Sequence, residues 1–464
     1  MQNGLELAIK KMQDVGATET YIQVFKRFYE MLVHGVPDYI LESEVEPVTH
    51  IDSLSDYAAK SVDVGAGDIQ AKNTEALRKT AIVKPNGGLG TSMGLQSAKT
   101  LLTVHKAGDE RLTFLDVIAR QILALRKKYN AQLPLIFMNS FRTKSDTFSY
   151  LSKYETLFDA SPESIVQQKE PKLLASDFTP AVCPENPELE WCPAGHAEVY
   201  SALYSANTLN QLQEQGMEYL FISNADNLGA VATPEVAGYF ANTNASFMIE
   251  VAKKTPADAK GGNLVYHNGR LTLREFSQVT PEDMQEAMQI SKHPYMNTNN
   301  MWLKISALKR LLDESNGVLK LPFLKNRKTL DPRDHKTPEI IQLESAVGFA
   351  VALFDDSTAL LVPKSRFLPV KTTNDLFALR SDLFEFDDDY IVRANKKRLH
   401  CRAVDELYSY PKIDLDKRYF KHVDDFEARV SDDLQSAIAL KSLTVVGDKV
   451  IDRNVNLEGD VVVE

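Results

Sequence analysis

The chain has 464 residues, a net charge of −11, 44 % hydrophobic and 25 % charged residues. That length gives about two to four domains and a core that needs no disulfide or metal staple, and the acidic balance argues against a general nucleic-acid binder, which needs a cationic field. Cys183, Cys192 and Cys401, without a CxxC pair, argue against a disulfide framework or structural zinc and suit a reducing cytoplasm, and neither a signal peptide nor a membrane span is legible.

Up to about residue 75 the chain reads mostly as helix, with Leu5, Ile9, Met12, Tyr21, Val24, Phe28 and Leu32 at spacings of three and four and a break near Gly16. Phe25-Lys-Arg-Phe-Tyr29 reads as a helix face against the body, and Gly65–Asp68 as a turn. From about residue 79 short apolar runs alternate with helical stretches. Thr80–Val83, Pro134–Met138, Tyr219–Ile222 and Ala245–Val251 read as buried strands, and Phe114–Lys127 and Tyr200–Gln213 as helices. Such alternation predicts an α/β domain with a largely parallel sheet, whose ligands sit at the carboxyl ends of the strands. From Ser442 to Val463 apolar residues recur with Gly and Asn at a period of about six, which suggests short β-helix coils, a plain meander being the alternative.

The most informative segment runs from Ala81 to Lys99, where a strand enters a loop containing Gly87, Gly88, Gly90 and Gly94. Glycines let backbone N–H groups approach a phosphate, and Lys99 supplies charge. A Walker A loop fails, because no Lys follows Gly94 directly. The Rossmann spacing is one residue too long, although Asp109-Glu110 lies where a ribose-binding acid can sit, so the loop alone leaves a dinucleotide-dependent dehydrogenase open.

The whole string Lys84-Pro-Asn-Gly-Gly-Leu-Gly-Thr-Ser-Met-Gly94 with Ala98-Lys99-Thr100 resembles the nucleotide loop of eukaryotic-type UDP-glucose pyrophosphorylases (UTP–glucose-1-phosphate uridylyltransferases). The likeness continues in order. Gln167 lies four residues before Pro171, as in the family's uracil-binding segment, with Gln168 a rival. Pro193-Ala-Gly195-His196-Ala-Glu198-Val-Tyr200 is similar to P-P-G-H-G-D-[IV]-Y. Ser223-Asn224-Ala-Asp226-Asn-Leu-Gly229 is similar to S-N-x-D-N-L-G. Val251 to Gly262, Met296 to Trp302, Ile341 to Gly348 and Val362 to Leu376 complete the series. The chain departs from the pattern at Pro85, Ser97-Ala98, Ala197 and Glu198.

The resemblance covers roughly residues 80–385 and implies the reversible reaction UTP + α-D-glucose 1-phosphate ⇌ UDP-glucose + pyrophosphate, by in-line attack of the sugar phosphate on the α-phosphorus. It implies catalytic Lys371 and Lys99, and a nucleotide site made by Pro85, Asn86, Gly87, Gly88, Lys99, Gln167, Gly195, Asp226 and Lys371. The sugar phosphate is assigned to His196, Asn224, Lys254, Lys260, Gly262, Asn297 and Asn299, and Mg²⁺ to Asp226. The implied fold is a Rossmann-like (GT-A-like) nucleotidyltransferase core with a mixed, mostly parallel sheet. The implied domains are a helical segment 1–78, a catalytic domain 79–380, and residues 381–464 ending in a short left-handed β-helix; the family has both monomers and oligomers, the latter often joined through that tail. The expected partners are UTP and glucose 1-phosphate, with no nucleic acid and no membrane, in the cytoplasm. Broader use of galactose or N-acetylhexosamine 1-phosphate, and a catalytically silent UDP-sugar sensor, are the rival readings.

Overall fold

The computed structural model describes residues 2–63, 66–107, 110–332, 334–399 and 410–464. Gly65, Asp109 and Cys401 therefore lie outside the described residues, as does Met1. Ala66, Gly67 and Asp68, expected in a turn, open a helix instead.

The centre is a 10-stranded mixed sheet. Its strands are β1 (Val45–Pro47), β2 (Thr80–Asn86), β3 (Leu135–Asn139), β4 (Ile165–Val166), β5 (Tyr219–Ser223), β6 (Phe247–Lys253), β7 (Asn263–His267), β8 (Arg270–Arg274), β9 (Tyr295–Lys304) and β10 (Thr358–Leu361). The main path is β1-β7-β9-β5-β2-β3-β4, with β6 joining β9 to β10 and β8 pairing with β7. All strands point one way except β1, β8 and β9. The sheet is mixed and mostly parallel.

Val83 pairs with Ile222 of β5 on one side and Ile136 of β3 on the other. Alternate residues along β2 enter different apolar clusters: Ile82 packs with Phe221 and Trp302, whereas Ala81 and Val83 pack with Leu220 and Ile222. Both faces are covered, which is why these strands read as unbroken apolar runs. Each large aliphatic or aromatic side chain buried here contributes about 1.5–3 kcal/mol.

Two helices begin the chain, α1 (Gln2–Asp14) and α2 (Glu19–Val33), with the side chain of Thr18 capping α2 by accepting from the Tyr21 N–H. The inner face of α2, including Phe25, Phe28 and Tyr29, packs on Leu173, Phe323, Ile341 and Leu343. The Phe25–Tyr29 run is thus a packed helix face, as its periodicity predicts. The stretch Tyr200–Gln213, expected as one helix, is two: Val199–Ser205 and Thr208–Glu214. Asn207 breaks it by taking a left-handed backbone, φ 56°, a conformation Asn tolerates better than most residues.

The tail contains β11 (Lys412–Leu415), β12 (Leu440–Val445) and β13 (Gly459–Val463), paired in parallel in that order. The parallel pairing excludes a simple antiparallel meander of these strands. No helix among the described residues is long and apolar enough to cross a membrane.

Candidate functional site

The parallel strands β2, β3 and β5 end side by side, and the segments leaving their carboxyl ends enclose a cavity of about 250 Å³. Pro85, Asn86, Gly87, Gly88 and Lys99 form one wall, Gln167, Gly195 and His196 a second, and Asn224 and Asp226 a third. Thr100, Met138, Pro193 and Ala225 also line it; no motif pointed to Met138, whose role is to present one face of a buried strand.

The glycine loop folds back on itself, because the Lys99 N–H donates to the Gly88 carbonyl at 3.1 Å. It passes through short 3-10 turns at Thr91–Met93 and Lys99–Leu101 rather than opening a long helix. Glu110 is committed to an ion pair with Arg120. The loop opens no long helix whose N-terminus could hold a pyrophosphate, and Glu110 is engaged elsewhere, which argues against a dinucleotide fingerprint.

The Asn86 side chain is engaged below the loop, donating to Asn139 Oδ1 (2.8 Å) and Thr147 Oγ1 (3.0 Å) and accepting from Thr100 Oγ1 (2.9 Å). It anchors the turn that carries Lys99. The Lys99 ammonium reaches Asp226 Oδ2 at 2.6 Å. A second tie joins the two loops, since the Ala225 N–H donates to the Pro85 carbonyl at 3.1 Å. Proline at 85 costs no ladder bond of that kind, because the carbonyl does the work.

Gln167, not Gln168, lines the cavity. Gln167 Nε2 donates to the Gly195 carbonyl at 2.6 Å, while Gln168 Oε1 accepts from the Thr18 N–H at the start of α2. A Cβ on Gly87 would lie 2.5 Å from Gln167 Oε1. Gly195 has φ 80°, and a Cβ there would meet the Ser345 N–H at 3.1 Å. Ala197, one of the departures from the family pattern, stands in a 3-10 turn outside the left-handed region, so its methyl group is unstrained.

His196 Nδ1 accepts from the Val347 N–H at 2.9 Å. An imidazole accepting at Nδ1 carries its hydrogen on Nε2. Burial pushes its pKa down to about 4, against the pull of Asp226. At neutral pH His196 therefore offers the cavity a neutral donor, not a positive charge.

Glu198 and Glu170 lie behind the Gln167–Gln168 segment. Burial pushes both up to about 8, although Glu198 accepts from the Gln168 N–H and Glu170 from Tyr21 and the Leu343 N–H. The folded chain thus binds these protons more tightly than the unfolded chain, whose glutamates titrate near 4.5. That stabilisation is full below pH 4.5 and is lost as pH rises through 8. Unfolding free energy is expected to fall over this window, at most by about 1.4 kcal/mol per pH unit for each group. Denaturant titrations between pH 5 and 9 check it: Glu198→Gln should flatten the decline, and an equally steep decline in that variant would remove Glu198 from the cause.

A second group gathers around Glu275, which no motif singled out. A Cβ on Gly262 would lie 2.8 Å from Glu275 Oε2. Burial raises the Glu275 pKa, opposed by a hydrogen bond from Asn297 and by the charges of Lys371 and Lys254. Lys254 is itself buried, donating to the Gly261 carbonyl and to Asn263, and is lowered by burial to about 8. Asn299 takes a left-handed backbone, φ 58°, and its N–H and side chain both bond to Asn297. Lys260 is exposed beside the Phe276 ring, 5.9 Å from its centroid. Lys371 is exposed, with its N–H donating to Asp375 Oδ2 at 2.8 Å. The residues assigned to the sugar phosphate thus divide: His196 and Asn224 line the cavity with Lys99 and Asp226, and Lys254, Gly262 and Asn297 surround Glu275.

Among the described residues no three His, Cys, Asp or Glu side chains gather as a metal site. Asp226 is a single carboxylate whose Oδ1 has no hydrogen bond to a described residue. That donor set suits a hard cation sharing one carboxylate oxygen and completing its shell from an anionic ligand, as Mg²⁺ does.

The family model described as UTP–glucose-1-phosphate uridylyltransferase matches residues 22–458. The UTP–glucose-1-phosphate uridylyltransferase of Hordeum vulgare is 37 % identical over 465 residues, covering 99 % of this chain and 92 % of that one. The enzyme of the same description from Solanum tuberosum is 37 % identical over 394 residues, 85 % of this chain and 78 % of that one. The crystal structure of a UDP-glucose phosphorylase from Trypanosoma brucei is similar with a TM-score of 0.87 at 36 % identity, covering 99 % of this chain and 94 % of that one. A mutant UDP-glucose pyrophosphorylase from Leishmania major, solved in complex with UDP-glucose, gives 0.83 at 35 %, covering 96 % and 91 %.

Proposed function

The chain belongs to the UTP–glucose-1-phosphate uridylyltransferase family, and from that membership we propose the roles its residues play in the reaction. It converts UTP and glucose 1-phosphate to UDP-glucose and pyrophosphate. The observation that carries the residue assignments is the cavity at the strand ends, with Lys99 and Asp226 in contact across it.

A phosphate oxygen of the sugar attacks the α-phosphorus of UTP in line. The new O–P bond forms as the bond to the bridging oxygen breaks, and pyrophosphate leaves with that oxygen. No protein nucleophile takes part, so the protein contributes positioning and charge stabilisation. Gln167 and the Gly195 backbone hold the uracil and ribose. Pro85, Asn86, Gly87 and Gly88 present the loop backbone to the nucleotide, and Lys99 offsets triphosphate charge. His196 and Asn224 orient the sugar phosphate, the former as a neutral donor. Gly262, Asn297 and Glu275 form the sugar wall, with Lys254 and Asn299 shaping it from within and Lys260 at its rim. Lys371 enters between the two groups to stabilise charge as the α-phosphorus reacts. Asp226 would hold Mg²⁺, which supplies charge neutralisation on phosphate oxygens when bound.

The fold is read further as a Rossmann-like core with residues 1–78 as a helical cover, 79–380 as the catalytic domain and 381–464 as a separate unit. The tail is read as a short β-helix, supported by the parallel stacking of β11, β12 and β13, in which Ser442 lies between Lys412 and Asp460. Exposed Val446, Val450 and Val462 on this tail support contact between copies. A purely monomeric mass in sedimentation overturns that contact. A reducing, cytoplasmic setting accords with the free thiols of Cys183 and Cys192.

The deciding assay is pyrophosphate release from UTP and Mg²⁺ with a panel of sugar 1-phosphates, alongside ATP, GTP and TTP. Release with UTP and glucose 1-phosphate is expected to dominate that with N-acetylglucosamine 1-phosphate. Binding of UDP-glucose without release from any pair would undo the catalytic roles.

A further inference from the structure

Glu250 lies on β6 and is completely buried, yet it does not line the cavity. Both its oxygens are fully used. Oε2 accepts from Arg366 Nε (2.8 Å) and Asn300 Nδ2 (3.0 Å), and Oε1 accepts from Arg366 Nη2 (2.7 Å) and Trp302 Nε1 (2.8 Å). A buried carboxylate–guanidinium pair is not required for stability, since well-packed apolar residues of similar volume often serve as well. What the fork provides is direction, because a bidentate pair fixes the plane and the main chain of its arginine.

Arg366 is where the segment carrying Lys371 leaves the core. Its Nη1 donates to the Val231 carbonyl at 2.8 Å, and its own carbonyl accepts from Asn227 (3.1 Å) and Asn300 (3.3 Å). Asn227, next to Asp226, accepts at Oδ1 from the Leu368 N–H (2.8 Å), and the Val370 N–H points at the Asp226 carbonyl at 3.4 Å. Asn227 and Pro369 form a bridge. Lys84 supports the same loop from β2, donating to Ser223 Oγ (2.8 Å) and to the Ala230 carbonyl (3.1 Å). The segment 366–370 is therefore sewn to the loop 226–231 along its length, and Glu250 is the fixed point of the seam.

We propose that Glu250 is a positioning residue for the transfer reaction, setting the distance between Asp226 and Lys371 through Arg366, Asn227 and Asn300. This rests on the roles given above to Asp226 and Lys371. Gln167 and the Gly195 backbone, which hold the base and ribose, stand outside the seam, so ground-state UTP binding changes far less than the rate. A displacement of about 1 Å in a reacting group costs on the order of 10²-fold in rate.

Glu250→Gln keeps the shape but turns a donor toward a cluster of donors. In the folded variant kcat is expected to fall on the order of 10- to 100-fold, while the Kd for UTP, measured by titration calorimetry without sugar phosphate, stays within about threefold. Combined with Lys371→Ala, the two losses should fall well short of multiplying, because a misplaced lysine has less to lose. Unchanged kcat in folded Glu250→Gln, or losses that multiply in full, overturns the proposal. Unchanged kcat in Lys371→Ala removes the premise instead, and the proposal with it. If Glu250→Gln does not fold, Trp302→Phe deletes one donor and keeps a ring in the core. It is then expected to lower kcat about threefold with the same shortfall in combination, and an unaltered kcat overturns the proposal equally.

Discussion

Replacing Lys371 with alanine is expected to lower kcat by on the order of 10²–10³, with little loss of stability. The separation of the two effects comes from how the residue is held. Its backbone N–H is fixed by Asp375 Oδ2, and the neighbouring Thr372 N–H and hydroxyl bond to the same carboxylate. The turn into the helix Thr373–Arg380 therefore does not depend on the lysine side chain, which is exposed. Deleting an exposed side chain away from caps and cores changes stability by about 0.5 kcal/mol or less. In the role proposed for Lys371, its deletion removes an interaction made chiefly in the transition state, so kcat and kcat/KM should fall together while KM holds. Steady-state kinetics with both substrates, beside a thermal melt, check this. A folded variant with unchanged kcat ends the catalytic assignment of Lys371. Lys371→Arg keeps the charge but not the compact ammonium, and an intermediate rate is expected from it.

The strands that position the site were legible because they are buried on both faces. Ile82, Val83, Phe221 and Ile222 sit in runs with no polar interruption, and such runs read as strands whatever else the chain does. The longest strand, β9, was not legible as one. Its Asn297-Thr-Asn-Asn300 run has the composition of a turn, and the motif read as sugar recognition. In the fold, Asn300 and Thr298 face the β6 strand instead, with Asn300 serving the Glu250 carboxylate and Thr298 Oγ1 its carbonyl at 2.7 Å. Polarity that one strand needs in order to satisfy a buried charge on its neighbour cannot be recognised until the neighbour is known. Glu250 itself was invisible for the same reason: it is one acid in an apolar run, and its partner Arg366 lies 116 residues away. Glu275 is similar, since its importance comes from Gly262, Asn297, Lys254 and Lys371 arriving around it from three segments. The glycine loop and the Asp after a strand carry a local reason for their chemistry, whereas Gln167, Gly195 and His196 were readable only through the family resemblance of their segments. The helix break at Asn207 carried none beyond a residue type that tolerates a left-handed backbone.

Lys99→Ala is expected to lower kcat/KM for UTP by on the order of 10²–10³, and the loss should depend on Asp226. The two side chains meet at 2.6 Å and are mostly shielded from solvent, at 13 % and 25 % exposure. In the free chain each charge is therefore offset by the other, and neither must be stripped of bulk water when substrate arrives. A triphosphate can then take the ammonium while its cation takes the carboxylate, and the pair exchanges one internal contact for two external ones. Removing Lys99 alone leaves a lone carboxylate facing the phosphates, so the single substitution adds repulsion to the lost attraction. Lys99→Ala combined with Asp226→Asn removes that repulsion, and the double variant should be better than the product of the singles by about 1–3 kcal/mol in coupling. The Mg²⁺ titration distinguishes the parts: Asp226→Asn should shift the half-saturating Mg²⁺ concentration upward, whereas Lys99→Ala should weaken UTP binding even at saturating Mg²⁺. Losses that multiply in full would mean that the two side chains act on separate parts of the substrate. An unaltered Mg²⁺ titration in Asp226→Asn would take the cation away from that carboxylate, leaving Lys99 to meet the phosphates alone.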